Sequence, residues 1–223
     1  MVKKQNLATI TITALIMYVV FIALAILLYT GGIESDPFQV KYTFFGNSLS
    51  DLGMITGYNG FSNLYSMVVF TIGTAMFGAS FIPFNIAFPS LFKEHKVSKV
   101  LAIIGSVLGY FAAAGMIIIA VTPHNYSDLV HMLHMIGVYM AYASIFFSTL
   151  LYVVAIFLNK SVKNVYGIIG AIFCALFLAT LIMGLLGLGG DASTLIAQIS
   201  QKGGRALTVI TYIVLSIPLS KSE

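Results

Sequence analysis

The chain has 223 residues, of which 59% are hydrophobic and 8% charged, with a mean hydropathy of +1.01; an ordinary soluble domain carries about 25% charged residues. So few charges cannot cover a soluble fold of this size, and the apolar residues fall in long runs, so the solvent for most of the surface is lipid. The formal net charge of +4 comes from 11 Lys and Arg against 7 acidic residues, and the cations stand singly between apolar runs, which excludes the basic stripe of a nucleic-acid partner.

The first apolar run, Leu7 to Tyr29, follows Lys3 and Lys4. It exceeds the apolar region of a signal peptide and has no small-residue cleavage site after it, so it reads as an uncleaved span. Further runs extend over about Phe61 to Phe88, Val100 to Val121, Leu129 to Leu158, Val165 to Leu188 and Ala206 to Leu219. Most exceed the roughly 20 residues that cross a ~30 Å hydrocarbon core, and the last is short unless it starts a turn earlier, near Gln198. Unbroken apolar runs without alternation exclude a β-barrel and leave helices as the means of satisfying the backbone in lipid. The expected fold is all-α: one domain over residues 1–223, an integral membrane bundle of six transmembrane helices.

Within these runs, Pro83 is expected to kink the second helix and Pro89 to end it. Gly105 and Gly109 form a GxxxG pair in the third, a weak hint of helix association. Cys174, the single cysteine, lies inside an apolar run and reads as a small core residue. With no Trp in the chain, Tyr29, Tyr65, Tyr126 and Tyr166 are the expected interfacial anchors.

Orientation follows from the basic residues. Lys3, Lys4, Lys93, Lys96, Lys99, Lys160, Lys163 and Lys221 fall on one side and Lys41, Lys202 and Arg205 on the other, which predicts both termini in the cytoplasm of a multi-pass cell-membrane (plasma-membrane) protein. The candidate functional residues then gather on the extracytoplasmic side.

The longest connection, Thr30 to Gly60, contains FGNSLSDLGMITGYNG. A structureless loop of that length is uncommon, so it is expected to form a short interfacial helix or re-entrant turn over the bundle mouth. Asn47, Ser48, Ser50 and Asp51 supply donors and acceptors, although Ser50 and Asp51 can equally serve as helix caps.

The fourth span opens with TPHNYSDLVHMLHMIG. Ser127 or Asn125 can cap the helix, after which Asp128, His131 and His134 follow at spacings of three, on one face. Ionisable groups at such depth face protein or a water-filled cavity and are functional candidates. An isolated carboxylate and imidazole near hydrocarbon are each costly, so Asp51 is expected within reach of His131 or His124. Nearby Asp51 and Asp128 favour the imidazolium and are expected to outweigh burial at the membrane edge, so at least one of His131 and His134 is expected to have a raised pKa and to be partly protonated near neutral pH. A metal reading recruits His131, His134 and Asp51 as zinc ligands, while a hydrogen-bonded network joining the fourth helix to the loop, or a ligand or proton site without metal, uses the same residues.

In the last outer segment, GLGGDASTLIAQISQKGGRALT, Asp191 can cap a short amphipathic stretch. Lys202 and Arg205 can hold a lipid phosphate, pair with Asp51 and Asp128, or snorkel to the interface.

Three phrases, NSLSDLG after the first span, PHNYSDLVHMLHMIG at the fourth and GGRALTVITYIVL at the last, resemble an uncharacterised six-span membrane family, domain of unknown function number 998, itself distantly DRAM-like. The resemblance matches Ser50, Asp51, Leu52 and Gly53 to a loop signature and His131 or His124 to a histidine opening the fourth span, and Gly204 stands where an acidic residue often precedes Arg205. It implies lipid handling or membrane organisation and supplies no reaction.

Two functions compete. In one, an outward-facing polar cavity drawn from Asn47, Ser50, Asp51, His124, Asp128, His131, His134 and Arg205 binds a membrane lipid or small amphiphile without catalysis. In the other, a metal-dependent intramembrane hydrolase acts on a lipid through zinc-bound water.

Overall fold

The computed structural model describes residues 3–159, 162–186 and 191–221, with the side chains of 183–186, 191–194 and 197 excepted. Lys160, positions 187–190 and the side chain of the expected cap Asp191 therefore lie outside the described residues. Six helices follow in order: α1 Lys4–Leu28, α2 Leu64–Ala87, α3 Lys96–Val121, α4 Asp128–Phe157, α5 Asn164–Leu186 and α6 Asp191–Ser220. All six are long and apolar enough to cross a membrane. Among the described residues the only β pairings are two isolated bridges, Ile33 with Asp36 and Thr56 with Ser62.

Each helix packs against its neighbours in sequence, and α6 returns to α1 to close the ring, with α1 against α6 its loosest seam. The core is an aromatic column. Phe77, Phe81 and Phe84 of α2, continued by Phe88 and Phe92, recur every three or four residues on one helix face and are fully buried. Phe81 and Phe84 each lie 4.8 Å from the Tyr212 ring of α6, and Phe88 lies 4.3 Å from Tyr152 of α4. Such pairs contribute about 0.5–1.5 kcal/mol each beyond area burial. The opposite faces carry Leu27, Val121 and Ile210, all more than half exposed, which is a surface suited to lipid and not to water.

The glycines of α3 work inside the chain. A Cβ at Gly105 would meet the Tyr152 ring at 2.7 Å, and Ser148 Oγ donates to the Gly105 carbonyl at 2.7 Å. A Cβ at Gly109 would collide with the Asn85 side chain of α2. The GxxxG pair thus lets α2 and α4 approach α3. Close approach also permits a buried network in which Tyr152 OH donates to Asn85 Oδ1 at 2.8 Å and Ser106 Oγ to the Asn85 carbonyl at 2.9 Å.

The α2 helix contains Pro83 and ends at Ala87, just before Pro89, as the sequence reading expects. The last span begins not at Ala206 but at the earlier alternative: its membrane-length part is Gln198–Ser220, within an α6 that starts at Asp191. Polar Gln198, Gln201, Lys202 and Arg205 conceal the start of this helix from a hydropathy reading, because each finds its partners in the fold.

Candidate functional site

The Thr30–Gly60 connection is folded into one end of the bundle, which we call the loop end. Gly31 and Gly32, at φ 114° and 86°, turn the chain off α1, and the Gly32 N–H donates to the Gln39 carbonyl at 2.7 Å; a side chain at either position would strike neighbouring backbone. The expected short helix is one 3-10 turn, Ser50–Gly53. Leu52 is fully buried and packs with Ala25, Tyr29, Leu49 and Phe70. Backbone in such a place must be satisfied: Asn63 Nδ2 donates to the Leu52 and Met54 carbonyls at 3.2 and 3.1 Å, and Ser66 Oγ to the Leu52 carbonyl at 3.1 Å.

Asp51 is 4% exposed. Its carboxylate accepts from Ser48 Oγ at 2.6 Å, from the Ser48 N–H at 2.9 Å and from Asn47 Nδ2 at 3.1 Å. His124 Nε2 stands 3.5 Å from Oδ1, at the long limit of hydrogen bonding. Burial pushes the Asp51 carboxyl up, but the contact with His124 and the hydrogen bonds from Ser48 and Asn47 outweigh it and hold the group below its ordinary value. Asn47, wholly buried, is the hub: its Nδ2 also reaches Tyr29 OH and the Gly32 carbonyl, while its Oδ1 accepts from the Thr43 N–H at 2.9 Å. Burial, aided by the Asp51 charge, raises the Tyr29 and Tyr42 hydroxyls, keeping both as neutral donors.

The histidines divide. His124, in the turn before α4, is the one that meets Asp51. Ser127 caps α4, its Oγ accepting from the Val130 N–H at 3.3 Å, while Asn125 clamps the loop, accepting from the Ile55 N–H and donating to the Thr56 carbonyl. His134 is buried, and its Nδ1 donates to the Thr122 carbonyl at 2.8 Å. His131 is exposed, with Nδ1 donating to the His124 carbonyl at 3.2 Å. Asp128 is exposed and, among the described residues, forms no ion pair. The condition for a carboxylate-supported imidazolium at His131 or His134 is therefore not met. The set His131, His134 and Asp51 is not assembled, and among the described residues no three His, Cys, Asp or Glu side chains stand together as a metal site.

From α6, Gln198, Gln201, Lys202 and Arg205 lie at i, i+3, i+4 and i+7, one helix face. Gln198 Nε2 donates to the Gly46 carbonyl at 3.0 Å, and Gln201 Oε1 accepts from the Leu49 N–H at 2.7 Å while its Nε2 approaches Ser50 Oγ at 3.5 Å. Lys202 Nζ donates to the Phe44 carbonyl at 2.6 Å and closely to that of Asn47. The polar stripe is readable in the sequence once the helix starts at or before Gln198; starting it at Ala206 cuts the stripe off. The other contributors, Tyr18, Asn63 and Tyr142, carry no local signal.

Arg205 is the deepest of the stripe, about 10 Å along the axis from Gln198, and 5% exposed. Its Nε donates to Tyr142 OH at 3.1 Å and its Nη1 to Tyr18 OH at 3.3 Å, and the guanidinium lies 5.3 Å from the Phe77 ring centre. Between α1 and α6 a cavity of about 320 Å³ is lined by Arg205 and Lys202 together with Tyr18, Tyr42, Phe44 and Leu49. Its lower walls are Val19, Ile22 and Ile26 of α1 and Ala206, Val209 and Ile210 of α6. Val19 and Ile210 are both more than half exposed, so the cavity opens sideways, toward the surface that would face lipid. Of the residues expected to line a polar cavity, Arg205 alone does so; Asn47, Ser50 and Asp51 hold its roof, and the histidines form a separate group beside them.

The chain matches no known protein family, curated protein or solved structure.

Proposed function

We propose that this protein binds a membrane amphiphile, a lipid or a lipid-like small molecule, in the cavity between α1 and α6, at the extracytoplasmic end of an N-in, C-in bundle in the cell membrane. The observation that carries the reading is a cavity whose accessible walls are apolar and which opens through the α1–α6 seam. Its volume lies near the low end of small-molecule sites, ~300–1,000 Å³, which suits an apolar segment of an amphiphile while the remainder lies along the exposed faces of α1 and α6. Binding requires no catalytic step.

Filling the cavity tests this. Ala206 is exposed on the cavity wall, so Ala206→Trp can occupy the space without breaking the bundle. Native mass spectrometry of protein extracted in mild detergent should show a retained amphiphile on wild type and at least a tenfold loss on a variant of unchanged thermal stability. Equal occupancy would overturn the assignment of the cavity.

Orientation is tested separately. Ser35 and Glu94 are exposed at opposite ends of the bundle. In a Cys174→Ala background, Ser35→Cys should react with an impermeant thiol reagent from outside intact cells and Glu94→Cys should not; the reverse pattern would put the loop end in the cytoplasm.

A further inference from the structure

Another cavity, of about 330 Å³, lies at the end of the bundle opposite the loop. Three cations line it, and they come from separate parts of the chain: Lys4 from the start of α1, Lys163 from the link before α5 and Lys221 from just past the end of α6. Each stands within one residue of the end of a membrane-length helix, Lys4–Leu28, Asn164–Ile182 or Gln198–Ser220, so the cavity sits at the level where a bilayer holds its headgroups. Lys163 and Lys221 are exposed and Lys4 is half-buried. Among the described residues no carboxylate pairs with any of the three; the carboxylate met by a basic side chain is Asp51, at the other end of the bundle.

Lys4 and Lys163 also stand at helix starts, where the backbone N–H groups attract anions and disfavour cations, and the first turn of neither α1 nor α5 carries an acidic residue. Side chains and backbone thus bring one sign of charge into one cleft, which concentrates its field. The bias of basic residues toward one membrane face puts lysines at this end but does not collect them: Lys93, Lys96 and Lys99 share the end, are exposed, and lie outside the cavity.

We propose that this cavity is a further binding site, for the phosphate of an anionic lipid headgroup held by Lys4, Lys163 and Lys221. It is separate from the cavity beneath the loop, since no residue lines both. Basic recesses between membrane helices suit such headgroups, and three compact ammonium groups on flexible stems meet phosphate oxygens without demanding one geometry. Leu91, Val162 and Pro218 supply an apolar wall for the glyceryl part of the lipid, a wall that a free phosphate would leave bare.

The test is microscale thermophoresis on the full chain in dodecyl maltoside, with dioleoyl phosphatidylglycerol, dioleoyl phosphatidylcholine and inorganic phosphate as probes. Phosphatidylglycerol should bind at least about tenfold more tightly than phosphatidylcholine, the gain that one or two lysines beside an anion supply, and inorganic phosphate should bind far more weakly than phosphatidylglycerol. The triple variant Lys4→Gln, Lys163→Gln, Lys221→Gln should lose the preference. Lys93→Gln, Lys96→Gln, Lys99→Gln, which removes the same charge from the same end outside the cavity, should keep it. Lys163→Gln alone, at an exposed position, should reduce the preference by about fivefold and serves if the triple variant does not fold. Ala206→Trp, which fills the cavity beneath the loop, should keep the preference, so the two sites fail independently. No preference on wild type would overturn the site. Equal loss from both triple variants would overturn it by showing that surface charge acts as a whole, and loss in Ala206→Trp by placing the lipid in the other cavity. Inorganic phosphate as tight as phosphatidylglycerol would overturn the lipid assignment in favour of an ion site.

Discussion

Asp51→Ala should destabilise the folded bundle by about 3–5 kcal/mol, the range for removing one side of a buried, hydrogen-bonded charge. The carboxylate gathers Ser48 Oγ, the Ser48 N–H, Asn47 Nδ2 and His124 around itself, and alanine removes this shared acceptor from all four, most costly for the part-buried Ser48 N–H and His124. Asn47 is also bonded to Tyr29, Gly32 and Thr43, so its reorientation would loosen the loop over the cavity. The effect carries a pH signature. The folded carboxyl titrates below its ordinary value, so its stabilising contribution is fully present above the unfolded value of about 3.9 and is lost as pH falls through the lower folded value. Thermal stability in detergent followed from pH 7 to pH 3 should fall more steeply below about pH 4 for wild type than for Asp51→Asn. Identical acid limbs would remove Asp51 from this role.

Gly115→Leu should be the most damaging single change inside the bundle. A Cβ there would lie 2.7 Å from the Ala141 backbone nitrogen and 2.8 Å from the Gly137 carbonyl of α4, and helix backbone cannot yield as a side-chain tip can. Alanine alone should cost about 1–3 kcal/mol by overpacking, and leucine must separate α3 from α4. Gly203→Ala is the contrast, because its Cβ would meet only Thr180 Cγ2 at 3.8 Å; helix propensity then favours alanine by up to about 1 kcal/mol. Unfolding in a detergent titration should place Gly115→Leu far below wild type and Gly203→Ala at or above it. A Gly115→Leu protein as stable as wild type would show that the α3–α4 seam is loose.

The α1–α6 seam joins these outcomes to function. Its roof is the Asn47–Asp51 network, tied to α6 through Gln198, Gln201 and Lys202. Loss of Asp51 should therefore weaken amphiphile binding through the roof, whereas Gly115→Leu acts on the opposite seam and reaches the cavity only if the whole bundle loosens.

Composition and run length alone determined an all-helical chain with six helices able to cross a membrane, because the need to satisfy backbone groups in lipid leaves few alternatives and depends on no particular contact. The Ser127 cap and the proximity of Asp51 to a histidine before or at the start of α4 were also legible, the first from local capping chemistry and the second from the cost of leaving either group alone. Which histidine met Asp51, and the separation of Asp128 and His131 from the buried groups, were not legible, since helical spacing gives a shared face but not the direction that face takes. The cavity belonged wholly to the tertiary structure. Tyr18, Tyr42, Lys202 and Arg205 come from α1, the long connection and α6, and a long polar side chain reads as a break in an apolar run until the fold shows what receives it.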